Sequence, residues 1–371
     1  MKLGIDVSTY FEELAHGAKY YDGDKQVQPL DLFRANGVDI MRIRLWVHPY
    51  DEEGNSYLAG ACDLDNFLKL ATLARDKGYS IMLDFHYSDF WADPGKQCLP
   101  KSWAQLDFPA LVDKVYSYTK ETLQTIAAHG IDLAYIQVGN EITNGTLWPH
   151  GRLVEHKDGS RTNYDNLIAL LKSGIKACRE VTPRSAIILH LEKSYDQVIY
   201  NEFFTHMEKA RVDYDVIGYS YYPYWHGTFQ QFFANVDFCK KFHKRQMVVE
   251  LGYAFTAEDY IKVSHGGAKL VVSVDNVESL GFVQEYPISP DGQKHFTEDF
   301  LRQAELHGLE GVCWWEPLWI PGDGICWASV AAMKYMHDDT SKSTRNEWAN
   351  QCLFDYSGRK NPAFDAFKVN K

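Results

Sequence analysis

Apolar positions along the chain follow two rhythms that take turns. Short stretches with a period of two, or wholly apolar, lie at Leu3–Val7, Asp39–Trp46, Ser80–Phe85, Leu133–Gly139, Ser185–Leu191, Tyr214–Ser220, Arg245–Glu250 and Leu309–Trp315. They read as strands. Between them, helical spacing covers Leu30–Asn36, Leu64–Lys77, Ala110–His129, Asn163–Val181, Gln197–Lys209, Phe229–Phe242 and Phe296–His307. Gly37, Gly78 and Gly130 stand where helices should stop. A polar loop is expected from the first strand to Gln28, and an irregular tail from Glu316 to a short closing helix at Pro362–Phe367. Strand–helix alternation calls for parallel strands joined by right-handed crossovers, an α/β protein. Eight such units fit a closed (β/α)₈ barrel with long loops. An open doubly wound sheet would carry a Gly-rich turn after an early strand, and the first three strand ends lack one. No Pro-, Gly- or Ser-rich linker and no repeat divides the sequence, so residues 1–371 read as a single domain.

Polar and aromatic residues gather where the strands end. They are Asp6, then Arg42, Arg44 and Trp46, then Asp84 and His86, then Asn140-Glu141. Ser220, Tyr221 and Tyr222, then Glu250, then Trp315-Glu316 complete the series. A carboxylate just past a barrel strand is where such folds keep catalytic groups. Glu141 and Glu250 on two separate strand ends supply the pair that glycoside hydrolysis needs, one as acid/base and one as nucleophile or base. The acid requires a raised pKa and the nucleophile an ionised carboxylate. Arg42 is placed to hold Glu250 in its charged form, Asn140 to bind a sugar hydroxyl, and His86 to hydrogen-bond a carboxylate.

Charge and composition narrow the partners. The formal net charge is −12 with no basic tract, which argues against nucleic acid and anionic membranes. No apolar run is long enough to cross a bilayer. With no export signal evident, a cytoplasmic monomer is expected, the alternative being a secreted protein whose signal has been removed. The seven cysteines are scattered, without metal-ligand spacing, and a reducing compartment without disulfides is expected. Trp91, Trp148, Trp225, Trp319 and Trp327 sit in loop-like contexts, where an indole face suits a sugar ring. No His/Asp/Glu set has ligand spacing, so a metal-dependent hydrolase is disfavoured.

Several longer stretches then carry a resemblance. They include Gly4–Ser8, Met41–Trp46, Asp84-Phe85-His86-Tyr87-Ser88-Asp89-Phe90-Trp91-Ala92-Asp93-Pro94-Gly95-Lys96-Gln97, Gly139-Asn140-Glu141 and Leu147-Trp148-Pro149. They continue with Tyr221-Tyr222-Pro223, Val249-Glu250, Ser289–Gln293 and Trp315-Glu316-Pro317. Almost end to end, the sequence resembles the endo-β-1,4-galactanases, family 53 of the glycoside hydrolases, within a clan of retaining (β/α)₈ enzymes. The resemblance implies Glu141 as acid/base and Glu250 as nucleophile, supported by Arg42 and Asn140. It implies Asp6, His86, Trp91, Asp93, Tyr222, Trp315 and Trp319 as substrate-binding residues. The substrate implied is the β-1,4-galactan of pectin side chains and type I arabinogalactan. Another endo-glycanase of the clan, a β-mannanase or β-glucanase, is the alternative, and a non-catalytic galactan-binding barrel a weaker one. No cofactor is expected. Some bacterial relatives hold calcium in the loop after strand seven, but here Thr256–Lys262 and Val271–Asn276 supply few oxygen ligands in a tight run.

Overall fold

The computed structural model describes residues 1–157, 159–261, 269–279, 285–339 and 345–368. Eight parallel strands close into a barrel. They are β1 (Lys2–Asp6), β2 (Ile40–Leu45), β3 (Ser80–Phe85), β4 (Leu133–Val138), β5 (Ala186–Leu191), β6 (Val216–Tyr221), β7 (Arg245–Leu251) and β8 (Gly311–Trp315). Closure sets β8 against β1, with Lys2 opposite Gly311 and Asp6 opposite Trp315.

The crossovers are the helices α1 (Pro29–Ala35), α2 (Leu64–Asp76), α3 (Phe108–Ala128), α4 (Tyr164–Val181), α5 (Gln197–Lys209), α6 (Phe229–Cys239) and α7 (Pro290–Leu306). Local chemistry starts them. Asp63 accepts the Asn66 amide at 2.9 Å and Asp107 the Ala110 amide at 3.0 Å, while Thr228 and Gln231 form a reciprocal capping box. Each amphipathic helix then lays its apolar side on the barrel, as α3 does with Leu111, Val115, Leu123 and Ile126.

Alternation inside the barrel positions the chemistry. Ile40, Met82, Tyr135 and Ile188 face inward and join Val216, Met247 and Cys313 in a buried apolar plug. Two residues further along the same four strands come Arg42, Asp84, Gln137 and His190, all buried. The pleat therefore stacks a polar layer directly on an apolar one, towards the strands' C-terminal ends. β7 needs a correction to that rule. Counting from Met247, strict alternation would turn Val249 inward and Glu250 outward. Val249 does join the plug, but the ladder shifts there: Val248 faces Tyr219 while Glu250 faces Ser220, and the pairing with β8 slips at the same place. This bulge re-aims Glu250 into the barrel mouth.

The elements differ from the sequence expectation in three places. The expected polar loop before Gln28 contains a short helix, Tyr10–Ala15, and an antiparallel pair, Tyr20–Asp22 with Lys25–Val27. That pair is held from far away, by Tyr21 N–H on Gly358 O at 2.8 Å and Lys360 N–H on Tyr21 O at 2.9 Å. Helix α7 starts at Pro290 rather than Phe296, because Ser289 accepts the Gly292 amide and proline suits the first helical position. The expected irregular tail contains a helix at Val330–Tyr335, capped by Ser329.

Gly4 shows how tightly the plug is filled. A Cβ there would lie 2.4 Å from Cys313 Sγ and 3.1 Å from Ile40 Cβ. Gly4→Ala is expected to destabilise the protein by about 1–3 kcal/mol through overpacking. Adding Cys313→Ala should recover much of that loss in thermal unfolding followed by circular dichroism. Purely additive losses would contradict this account.

Candidate active site

Arg42 lies at the centre of the polar layer. Its Nη1 donates to Asp6 Oδ2 at 2.9 Å, and its Nη2 to Asp84 Oδ2 at 2.7 Å and Asn140 Oδ1 at 2.9 Å. The same Nη2 lies 2.9 Å from Glu250 Oε1. Burial works against the guanidinium charge, but Asp84, Glu250 and Asp6 outweigh it and hold the cation firmly. Asp84 is likewise pushed up by burial, yet Arg42 and His86 leave it below the usual carboxylate range.

Glu250 and Glu141 face each other across the mouth. A carboxylate oxygen of each, together with a ring nitrogen of His190, lies within 4.8 Å of the others. Glu250 also accepts from the Tyr222 hydroxyl at 2.9 Å. Glu141 has no cation partner among the described residues and instead accepts from Ser220 Oγ at 2.6 Å. Burial pushes the Glu141 carboxyl well above its ordinary value, Glu250 and Glu192 add to the rise, and Ser220 opposes it. Burial raises Glu250 as well, against the pull of Arg42 and Tyr222. One carboxyl is thus equipped to keep its proton and the other to lose it.

Backbone geometry presents Glu141. It stands in the left-handed region at φ 47°, ψ 54°. Gly139 precedes it at φ 88°, where an added Cβ would meet Ile142 Cγ2 at 2.7 Å. Gln97 Nε2 ties the turn by donating to Asn140 O at 2.8 Å. The Asn140 amide is itself engaged: Nδ2 donates to Ala92 O at 2.9 Å, and Oδ1 accepts from Arg42 and from Gln137.

The carboxylates open into a cleft of about 490 Å³, which His86, Trp91, Asp93, Asn140, Tyr222 and Trp315 also line. His86 Nδ1 accepts from Trp46 Nε1 and the Ala92 amide, which leaves Nε2–H to donate to Asp84 at 3.1 Å. Trp91 is largely covered: it stacks on Trp327 at 4.7 Å and 18°, lies over the Arg44 guanidinium, and presents what remains to the cleft.

Two expected substrate-binding residues are not brought to the cleft. Asp6 is fully buried beneath it, accepting from Ser8 and Arg42. Trp319 is 0% exposed and packs behind Trp91, Trp315 and Trp327. Its loop context concealed that the loops after β8 fold back over one another.

His190, Glu192 and Trp348 were missed. His190 has the same parity as Ile188 and is the one polar residue of β5, a signal the alternation did contain. The grouping of Glu141, His190 and Glu250 is invisible in sequence spacing. Both imidazole nitrogens have protein partners: Nε2–H donates to Ser220 Oγ at 2.8 Å, and Nδ1 accepts from the Glu141 amide at 3.4 Å, the pattern of a positioned histidine. Burial and the Arg42 charge hold its pKa well below the ordinary value, so it is neutral. In the loop after β7, Thr256 O and Val272 O each accept from Asn350 at 2.7 Å, and Asp259 caps the Ile261 amide. Lys262 of the expected loop lies outside the described residues.

A closed (β/α)₈ barrel with two facing carboxylates after strands four and seven belongs to the class of barrel glycoside hydrolases. The family model for glycosyl hydrolase family 53 matches residues 2–367, and the chain belongs to that family. It is 33% identical to the endo-beta-1,4-galactanase of Bacillus subtilis, over 98% of this chain and 85% of that protein. The glycosyl hydrolase family 53 catalytic domain of Ignisphaera aggregans superposes with a TM-score of 0.86 at 35% identity, over 99% of this chain and 95% of that one. A solved structure of fungal beta-1,4-galactanases gives 0.77 at 27% identity, over 100% and 99%.

Removing the central cation should reveal what it balances. Arg42→Met leaves Asp6, Asp84 and Glu250 buried together without their cation, and is expected to cost about 3–5 kcal/mol. A thermal midpoint equal to that of the parent protein would contradict the hub role.

Proposed function

We propose that this glycosyl hydrolase is a retaining endo-β-1,4-galactanase. The reading is carried by one observation: two carboxyls within 4.8 Å, of which only Glu250 has a guanidinium partner among the described residues. A gap of this order leaves little room for the intervening water of an inverting reaction and suits direct attack by a carboxylate. Identity to the galactanases supplies the sugar.

In this reading Glu250, ionised beside Arg42 and oriented by Tyr222, attacks the anomeric carbon. Glu141 gives its proton to the departing oxygen. Water then enters, Glu141 takes a proton from it, and the glycosyl–Glu250 ester is displaced. Each displacement inverts, so the configuration is retained overall. Arg42 and Asn140 act by positioning. His86, Trp91, Asp93, Tyr222 and Trp315 are assigned to sugar binding, with the indoles covering apolar ring faces at roughly 25 cal/mol per Å² removed from water. The chemistry needs no cofactor, since protein carboxyls supply both acid and nucleophile.

Residues 1–371 are read as one catalytic unit that works as a monomer, since one chain supplies every residue named. No helix among the described residues is long and apolar enough to cross a membrane. The scattered cysteines are read as thiols of a reducing, cytoplasmic setting.

Incubation with a panel of linear polysaccharides should show cleavage of β-1,4-galactan, and NMR of the first product should show the β-anomer. Preference for mannan or glucan would refute the substrate, and an initial α-anomer would refute retention.

Ser220 offers a test of the acid. Its hydrogen bond favours the ionised form of Glu141. Ser220→Ala should therefore raise the acid's pKa and move the alkaline limb of kcat/KM to higher pH. A shift to lower pH would show that Glu141 is not the group titrating there.

A further inference from the structure

His190 has no step in the proposed reaction, yet a directed chain of hydrogen bonds joins it to the acid. It lies on β5 and is fully buried. Its tautomer follows from its partners. A backbone amide can only donate, and the Glu141 amide meets Nδ1 at 3.4 Å. Nδ1 therefore keeps its lone pair, and the neutral ring carries its one proton on Nε2, 2.8 Å from Ser220 Oγ. The strand register makes this reach possible. His190 is paired with Gly218 of β6, two residues before Ser220 and on the same face. A Cβ on Gly218 would lie 3.4 Å from His190 Cβ, so the bare position leaves room for the ring to span to the hydroxyl.

The chain has a direction. A serine hydroxyl has one proton, and the His190 N–H occupies a lone pair of its oxygen. Ser220 is thereby turned to donate. Its nearest acceptor is Glu141 Oε1 at 2.6 Å, ahead of Glu250 Oε2 at 3.4 Å. A protonated carboxyl accepts best through its carbonyl oxygen, so the acid's proton is left to Oε2. Without the histidine N–H, Ser220 would be free to turn and accept from Glu141. The proton would then face Ser220 instead of the departing oxygen.

Resting on the reading of Glu141 as the acid of a galactanase, we infer that His190 is a positioning residue: through Ser220 it assigns the acid's proton to Glu141 Oε2, the oxygen turned to the glycosidic bond. That proton goes to the departing oxygen, and His190 and Ser220 keep their own. The same hydrogen bond steadies the Glu141 carboxylate until it takes a proton from water.

The test varies the donor and the leaving group. The amide nitrogen of a Gln stands near the place of Nε2, and that of an Asn near Nδ1. Parent protein, His190→Gln, His190→Asn and His190→Leu are assayed on linear β-1,4-galactotetraose, whose leaving group needs a proton. They are also assayed on 2,4-dinitrophenyl β-1,4-galactobioside, whose leaving group does not. His190→Leu and His190→Asn should each lose about tenfold or more in kcat/KM on the tetraose beyond any loss on the dinitrophenyl glycoside. His190→Gln should recover most of that loss. In a Ser220→Ala background, His190→Leu should change the ratio by less than about threefold, since the histidine acts through the hydroxyl. Equal falls on both substrates, a His190→Gln variant no better than His190→Asn, or an undiminished effect without Ser220 would each overturn the positioning role. Circular dichroism identifies any variant that does not fold, and the two amide variants decide the matter if His190→Leu is lost. Glu141→Gln, run alongside, judges the underlying reading: equal falls on both substrates there would show that Glu141 is not the acid. A parent that cleaves a different β-1,4-glycan would refute the galactanase reading alone, and the same comparison on that glycan's substrates still judges His190.

Discussion

One buried cation makes the rest of the site possible. Arg42 lies inside a barrel whose polar layer carries Asp6, Asp84 and Glu250 within hydrogen-bonding distance of it. Three carboxyls in so small a dry volume would repel one another and take up protons without it. The planar guanidinium presents donors in fixed directions, so it neutralises charge and sets the angle of each partner at once. Asn140, the residue before Glu141, is tied to the same nitrogen. The two carboxyls of the reaction are therefore referenced to one rigid group, through one contact for Glu250 and through the chain for Glu141.

That arrangement also creates the difference between them. Glu250 is buried and Glu141 partly buried, and two carboxyls so close raise each other's proton affinity, so by symmetry alone they would share a proton. Arg42 and Tyr222 bias Glu250 towards charge, whereas Glu141 has the neutral Ser220 hydroxyl and the additional negative charge of Glu192. The asymmetry required for acid and nucleophile is thus one of second partners, not of residue type. Beneath it, the apolar plug around Met82, Ile188 and Met247 keeps water from the barrel floor and holds the polar layer at one height.

Much of this was legible in the order of residues. Eight alternations of strand and helix pattern led to the barrel, because a strand can bury its backbone only beside another and parallel neighbours need a crossover. The carboxylates Glu141 and Glu250, with Arg42, were marked by standing where apolar strands end. The hairpin near Tyr21 had a local signal in its Gly23-Asp24 turn, but its anchoring was not legible, since Gly358 lies at the far end of the chain. Nor was the burial of Trp319, which depends on how several loops fold over one another.

The sequence by itself determined the elements, the strand ends that carry charge and the family, because these rest on local periodicity and on residue types in order. Only the tertiary structure decided which polar groups meet. The bulge in β7 turned Glu250 inward against simple alternation, the register of β1 on β2 set Asp6 beside Arg42, and closure of β8 on β1 brought Glu316 to Arg44. Folding also placed Glu192 in the cleft wall near Glu141. Such outcomes depend on distances between strands remote in the chain, and electrostatic partnership in a low-dielectric interior is set by those distances alone.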